Sequence, residues 1–223
     1  MQQQEKTTVK HFKDSIQVQS KHDYDNAILW LEKWGKQQYG KHFNIREEDK
    51  HIIFRLLSYF LKDEAVASHL QIDLNKGILL SGPIGTGKTT LMNLMKLFEP
   101  AQGRFIMRSC REVSFEFIKE GYETIHKYSR HSFQPNTHNP RTFCFDDLGT
   151  ENNLKYYGNE CNIMAEVLLS RYDLFISRNL VTHLTTNLSA TEIEDIYGNR
   201  IRSRMREMFN LVSFEENDKD KRR

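Results

Sequence analysis

The chain has 223 residues, enough for one substantial α/β core with a short accessory segment and too few for two large domains. Charged residues of both signs make up 28% and apolar residues 38%, which excludes a fibrous or disordered protein, and no apolar run is long enough to cross a bilayer. The formal net charge of +2 gives no global case for nucleic acid, so that case has to come from local clusters.

Residues 1–22 read as a polar, mobile tail without a hydrophobic signal region, which predicts a cytoplasmic protein. Asp23 opens a segment in which Tyr24, Ala27, Ile28, Leu31 and Trp34 recur at helical spacing, with Gly35 and Gly40 punctuating its end. Asn44 and Glu47 have the spacing of a capping box, and Ile45, Ile52, Ile53, Leu56, Leu57 and Phe60 form a second apolar stripe. Residues 23–70 are therefore a helical lead-in. From Lys76 the pattern changes to the short β-rich runs GILLSG, RFIMRS, RTFCFDD, LVTHLTTN and NLVSF, separated by helical stretches. Those helices are expected over Lys88–Phe98, Arg111–Tyr128, Glu160–Ser177 and, as a pair, Thr191–Glu207. The alternation predicts a three-layer α/β core over residues 71–214 with a parallel five-stranded sheet, followed by a charged tail at 215–223.

The segment GPIGTGKT fits G-x-x-x-x-G-K-[ST] and lies between an apolar strand and an apolar-striped helix, where that motif has physical meaning. Gly82, Pro83, Ile84, Gly85, Thr86 and Gly87 would turn backbone N–H groups onto phosphate oxygens, and the helix N-terminus that begins with Lys88, Thr89 and Thr90 adds its positive end. Lys88 is expected on the β and γ phosphates of ATP, and Thr89 on Mg2+. The third apolar run ends in Asp146 and Asp147, two carboxylates that need compensation for their desolvation. A phosphate-bound magnesium beside Asp146 supplies it. Asp147 is then placed to polarise the attacking water, and a cap of the turn before Gly149 is its alternative role. Asn187 ends the next strand, where its amide can reach the γ phosphate or that water, or simply terminate the strand ahead of a Ser189–Glu192 capping box. In YGNRIRSRMREMF, Arg200 and Arg204 share one helical face and Arg202 and Arg206 another; spacing alone suits a solvated face equally well.

The runs NKGILLSGPIGTGKTT, CFDDLG and LVTHLTTNLSATEIEDIYGNRIRSRM together resemble the AAA+ ATPases of the DnaC-type helicase loaders and IstB-type transposition helpers, from Leu74 to Phe214. The adjacent Asp pair also resembles that of DnaA-type initiators and IstB proteins. The resemblance implies an AAA+ P-loop fold, Mg-dependent ATP hydrolysis, self-association with ATP, and a replicative helicase, a transposase or single-stranded DNA as partner. It places an arginine finger at Arg204, with Arg200 as the alternative, acting on the nucleotide of a neighbouring subunit. The few residues after NLVSF leave no room for a helical C-terminal lid, as in DnaC-type loaders, and the lead-in matches nothing in that family.

Weaker features complete the reading. Tyr122, Lys127, Tyr128, Arg130, His131, Phe133 and Arg141 interleave basic and aromatic side chains, which suits single-stranded nucleic acid or a solvated loop. His126, His131 and His138 lack ligand spacing, and Cys110, Cys144 and Cys161 are too dispersed for a zinc site or a disulfide framework. ENNLKYYGNE, with Lys155, Tyr156 and Tyr157, reads as a polar loop.

Overall fold

The computed structural model describes residues 22–133, 140–151, 154–156 and 159–215. The expected tails up to residue 21 and from residue 216, together with His138 and Tyr157, lie outside the described residues. The chain divides into two compact units, one running to Leu74 and including Leu94–Glu99, the other comprising Asn75–Asn93 and the chain from Pro100 onward.

In the first unit, helix α1 (Tyr24–Tyr39) starts at Asp23, whose carboxylate accepts the Asn26 N–H at 3.0 Å. It runs through Gly35, where a side chain would overlap the Phe43 ring, and stops at Gly40. The Asn44–Glu47 capping box does not form. Glu47–Asp49 make a 3₁₀ turn ahead of α2 (Lys50–Phe60), and the Glu47 carboxylate pairs with Lys50 instead. Helix α3 (Glu64–His69) is capped by Asp63, which also accepts the Tyr24 hydroxyl at 3.1 Å and so fastens α1 to α3. Leu31, Leu56 and Leu57 are fully buried between these helices.

The second unit is built on a sheet of β1 (Gly77–Ser81), β2 (Ile106–Ser109), β3 (Phe143–Leu148), β6 (Thr182–Thr186) and β7 (Phe209–Ser213) in the order β2-β3-β6-β1-β7, all parallel. Strands β4 (Leu154–Tyr156) and β5 (Asn159–Cys161) form a separate antiparallel pair. The helices are α4 (Lys88–Met95), α5 (Cys110–Glu120), α6 (Glu123–Tyr128), α7 (Ile163–Arg178), α8 (Ala190–Tyr197) and α9 (Asn199–Met208). This is the three-layer P-loop fold. Its central strands are apolar on both faces because helices cover both, as Phe143, Cys144 and Phe145 illustrate.

Four expectations are corrected. The helix over Lys88–Phe98 tightens into a 3₁₀ turn at Lys96–Phe98. The helix over 111–128 breaks at Gly121, whose φ of 63° ends α5 before α6 begins. Helix α7 starts at Ile163 rather than Glu160, since 159–161 pair with 154–156 and Asn162 caps the helix through the Ala165 N–H at 3.0 Å. The same pairing replaces the expected polar loop.

Arg171, on α7, is the largest fully buried side chain. All five of its N–H donors are used: Nε on Thr182 Oγ1 at 2.7 Å, Nη1 on Tyr128 O at 2.7 Å and Ser132 Oγ at 3.3 Å, Nη2 on Val181 O at 3.0 Å and Arg141 O at 3.3 Å. The guanidinium also lies over the Phe143 and Phe145 rings. Burial without an acidic partner lowers its pKa to about 9.

Candidate functional site

In a parallel sheet all strands end on one edge, and because β6 lies between β1 and β3, three loops meet there. The loop after β1 is the glycine-rich segment. Gly82, Gly85 and Gly87 have φ of 147°, 86° and 86°, values that only glycine adopts freely, and a Cβ at Gly82 would strike Phe214 at 2.6 Å. Thr86, 1% exposed, closes the turn by donating to Pro83 O at 3.0 Å, while Ile84 at the tip is 64% exposed. Gly85, Gly87, Thr89 and Thr90 are half-buried at the start of α4. Lys88 is 5% exposed, and its ammonium donates to Gly82 O and Pro83 O, both at 2.8 Å, and to Asn187 Oδ1 at 2.5 Å.

The acid pair is shaped by a bulge. Phe145 pairs with Leu184 but Leu148 with Thr186, so β3 carries one residue more than β6 across the acids. Asp147 takes up the excess in the left-handed conformation, φ 56°. Asp146 keeps both oxygens on the Thr89 hydroxyl at 2.9 Å. Thr185, fully buried, donates to Asp146 Oδ1 at 2.7 Å and accepts the Asp147 N–H at 2.9 Å, so one hydroxyl orients both acids. Burial raises the pKa of Asp146 and the Asp147 charge adds to this; the hydroxyls of Thr185 and Thr89, and Lys88, pull it back.

A half-buried carboxylate facing a hydroxyl is an all-oxygen donor set that suits Mg2+, which is ordinarily held by one or two carboxylates plus substrate phosphates. The residues therefore fit the ion. Among the described residues no group of three or more His, Cys, Asp or Glu side chains forms a self-sufficient metal cage, and none is needed for such a site.

The remaining expected residues separate. Asn187 sits on Lys88, while Ser189 and Glu192 form a reciprocal capping box at the start of α8. Arg204 lies on α9 with its guanidinium 4.6 Å from the centre of the Tyr172 ring, Arg202 is paired with Glu194, and Arg200 is exposed. Within the basic and aromatic stretch, Tyr128 is withdrawn from any stacking surface. Tyr128, 1% exposed, packs on Phe143 and Phe145 and donates to Glu116, and Lys127 pairs with the same carboxylate at 2.7 Å. Tyr122 is exposed there, and His131 faces Glu123 at 3.2 Å.

Residues 78–212 match the family described as "ATPase family associated with various cellular activities (AAA)". The chain belongs to the AAA ATPase family. Among solved structures, this AAA chain is similar to the DnaC helicase loader (21% identity, 63% of this chain and 79% of that one, TM-score 0.47). It is similar to domain III of the replication initiation protein DnaA of Thermotoga maritima (15% identity, 82% and 68%, TM-score 0.51). It is also similar to a replication initiator DnaA bound to AMPPCP and single-stranded DNA (17% identity, 81% and 50%, TM-score 0.51). No curated protein matches it.

Sequence reasoning missed Thr185. A signal existed, because a hydroxyl inside a strand buried on both faces needs a polar partner, and LTTN carries two such hydroxyls. Glu151 and Tyr197 were also missed. The Glu151 carboxylate receives the Gly149 N–H at 2.9 Å and the Tyr197 hydroxyl, and no spacing in the sequence announces that meeting.

Proposed function

We propose that this AAA chain hydrolyses ATP with magnesium and acts in DNA replication or transposition, most closely as a DnaC-like helicase loader. The observation that carries the ATPase reading is the pair of hydrogen-bonded sets Asn187–Lys88 and Thr89–Asp146–Thr185–Asp147, adjacent through Lys88 and Thr89 at one sheet edge. Gly82 to Thr90 bind the triphosphate, with Lys88 exchanging its carbonyl partners for phosphate oxygens. Thr89 and Asp146 hold magnesium, which when bound neutralises charge on the phosphates. Asp147 orients and deprotonates the attacking water, and Asn187 holds that water or the γ phosphate in line. Arg204 acts on the nucleotide of an adjacent subunit, with Arg200 as the alternative.

The loader assignment is supported by the sequence resemblance over Leu74–Phe214. Single-stranded DNA is proposed as a partner because a DnaA of the same fold is bound to it. A replicative helicase is the proposed protein partner, a transposase the alternative, and the cytoplasm the proposed location. Capture of partners in ATP by Asp147→Asn protein distinguishes helicase from transposase.

Phosphate release measured with assembled subunits tests the reading. Arg204→Ala is expected to bind ATP normally and turn it over about a thousandfold more slowly. Mixing it with a chain that keeps Arg204 but cannot hydrolyse its own ATP should restore part of the activity. If neither Arg204 nor Arg200 gives this rescue, the subunit-shared site is wrong.

A further inference from the structure

The loop that follows the acid pair meets the segment leading into α8 and the last residue of that helix. Ahead of α8, Gly149 packs so closely on Leu188 that a Cβ would meet the Leu188 side chain at 2.6 Å. At its end, Glu151 receives the Gly149 N–H on Oε2 at 2.9 Å and the Tyr197 hydroxyl on Oε1. Tyr197 is 7% exposed, and burial followed by the Glu151 charge raises the pKa of its phenol, so it remains a donor. A buried phenol needs an acceptor and a half-buried carboxylate needs donors; each here satisfies the other. Glu151 is thereby committed to Tyr197 and the loop rather than offered to a nucleotide.

Tyr197 is the last residue of α8. The next residue, Gly198, has φ 83°, and nothing lies within 4 Å of where its Cβ would be, so glycine serves the backbone turn and not a close approach. Beyond this joint begins α9, which carries Arg200 and Arg204. Asp147, Gly149, Glu151, Tyr197 and Gly198 therefore lead from the acids beside the chain's own phosphate loop to the turn ahead of its arginine helix.

We propose that Glu151 and Tyr197 are positioning residues that fasten the acid-pair loop to the joint of α9, so that nucleotide held by one subunit sets the arginine which that subunit offers to its neighbour. This rests on the shared-site reading above. Neither residue touches the reacting atoms; both act through the placement of Arg204.

The test uses Arg204→Ala chains as hydrolysing recipients and two kinds of finger donor. Asp147→Asn donors hold ATP, and Lys88→Ala donors do not; both keep Arg204. The ATP-holding donor is expected to rescue phosphate release roughly 2- to 30-fold better than the empty one, the range of known coupling effects. Adding Tyr197→Phe to the Asp147→Asn donor, which keeps the ring in the core, should bring its rescue down to the level of the empty donor. Glu151→Leu in that donor should do the same. Binding of a fluorescent ATP analogue and light-scattering assembly are expected to stay unchanged in the Tyr197→Phe donor, whereas a purely structural role weakens both along with the rescue. Equal rescue with and without Tyr197→Phe overturns the proposal. If neither unmodified donor rescues, the shared site itself fails and takes this inference with it, a different result from loss of the difference alone.

Discussion

Two buried cations in the α/β unit, Lys88 and Arg171, are both held by neutral oxygens, yet they do opposite work. Arg171 places every N–H on an acceptor, and those acceptors come from Tyr128, Ser132, Arg141, Val181 and Thr182, segments far apart in the chain. Such a group joins distant pieces and has no donor to spare. Lys88 instead leans on Gly82 and Pro83, five and six residues back in a glycine-rich turn, and on the amide of Asn187. Two of its three acceptors belong to that glycine-rich loop, and the proposed function has them yield to a phosphate. The comparison teaches that burial of a cation says little about its role; what decides is whether its partners can be exchanged.

Arg171→Leu should produce the largest effect on stability, since a buried carbonyl or hydroxyl that loses its donor is costly; a loss of about 3–5 kcal/mol in unfolding free energy is expected. Chemical denaturation measures it, and an unchanged midpoint would show that saturation is not what makes a buried cation structural. Lys88→Ala should do the reverse. ATP affinity should fall by about 100-fold or more because contacts to a charged group are lost, while the unfolding midpoint stays close to that of the parent. Nucleotide titration beside the same denaturation series would break the comparison if both quantities moved together.

Thr185→Val sharpens the contrast within the site itself. Removing a hydroxyl that orients both acids should slow turnover by about 10- to 100-fold, with ATP affinity nearly unchanged. Thr185→Ser should restore it; loss of kcat that serine does not recover points to packing. The smallest effect belongs to Lys127→Ala, because its pairing with Glu116 is solvent-exposed and contributes only about 0–1 kcal/mol. With Tyr128 in the core, single-stranded DNA binding at low salt should change little in this variant, and a large drop would restore the stretch as a binding surface.

Much of the site was legible because its parts are local. A phosphate loop is a run of consecutive residues, a strand-ending acid pair announces its desolvation problem, and the Ser189–Glu192 capping box joins residues three positions apart. The basic and aromatic stretch is not legible in this way, for the converse reason. Local composition does not say which side chains of a short helix face the core, and Tyr128 faces Phe143 and Phe145. The Asn44–Glu47 box failed similarly, because Arg46 is extended and a 3₁₀ turn took the place of the first helical turn.

The sequence by itself determined the alternation of strands and helices, the glycine-rich loop with Lys88 and Thr89, and the two acids at a strand end. Each follows from the periodicity, steric freedom or solvation of residues that are neighbours in the chain. Only the tertiary structure decided that β6 would lie between β1 and β3, bringing Asn187 onto Lys88 and Thr185 onto both acids. It alone introduced the bulge that turns Asp147, the five partners of Arg171 and the meeting of Glu151 with Tyr197. These contacts join residues from 10 to 99 positions apart, and such pairings are selected by the packing of the whole sheet and its helices, not by any signal that a single segment carries.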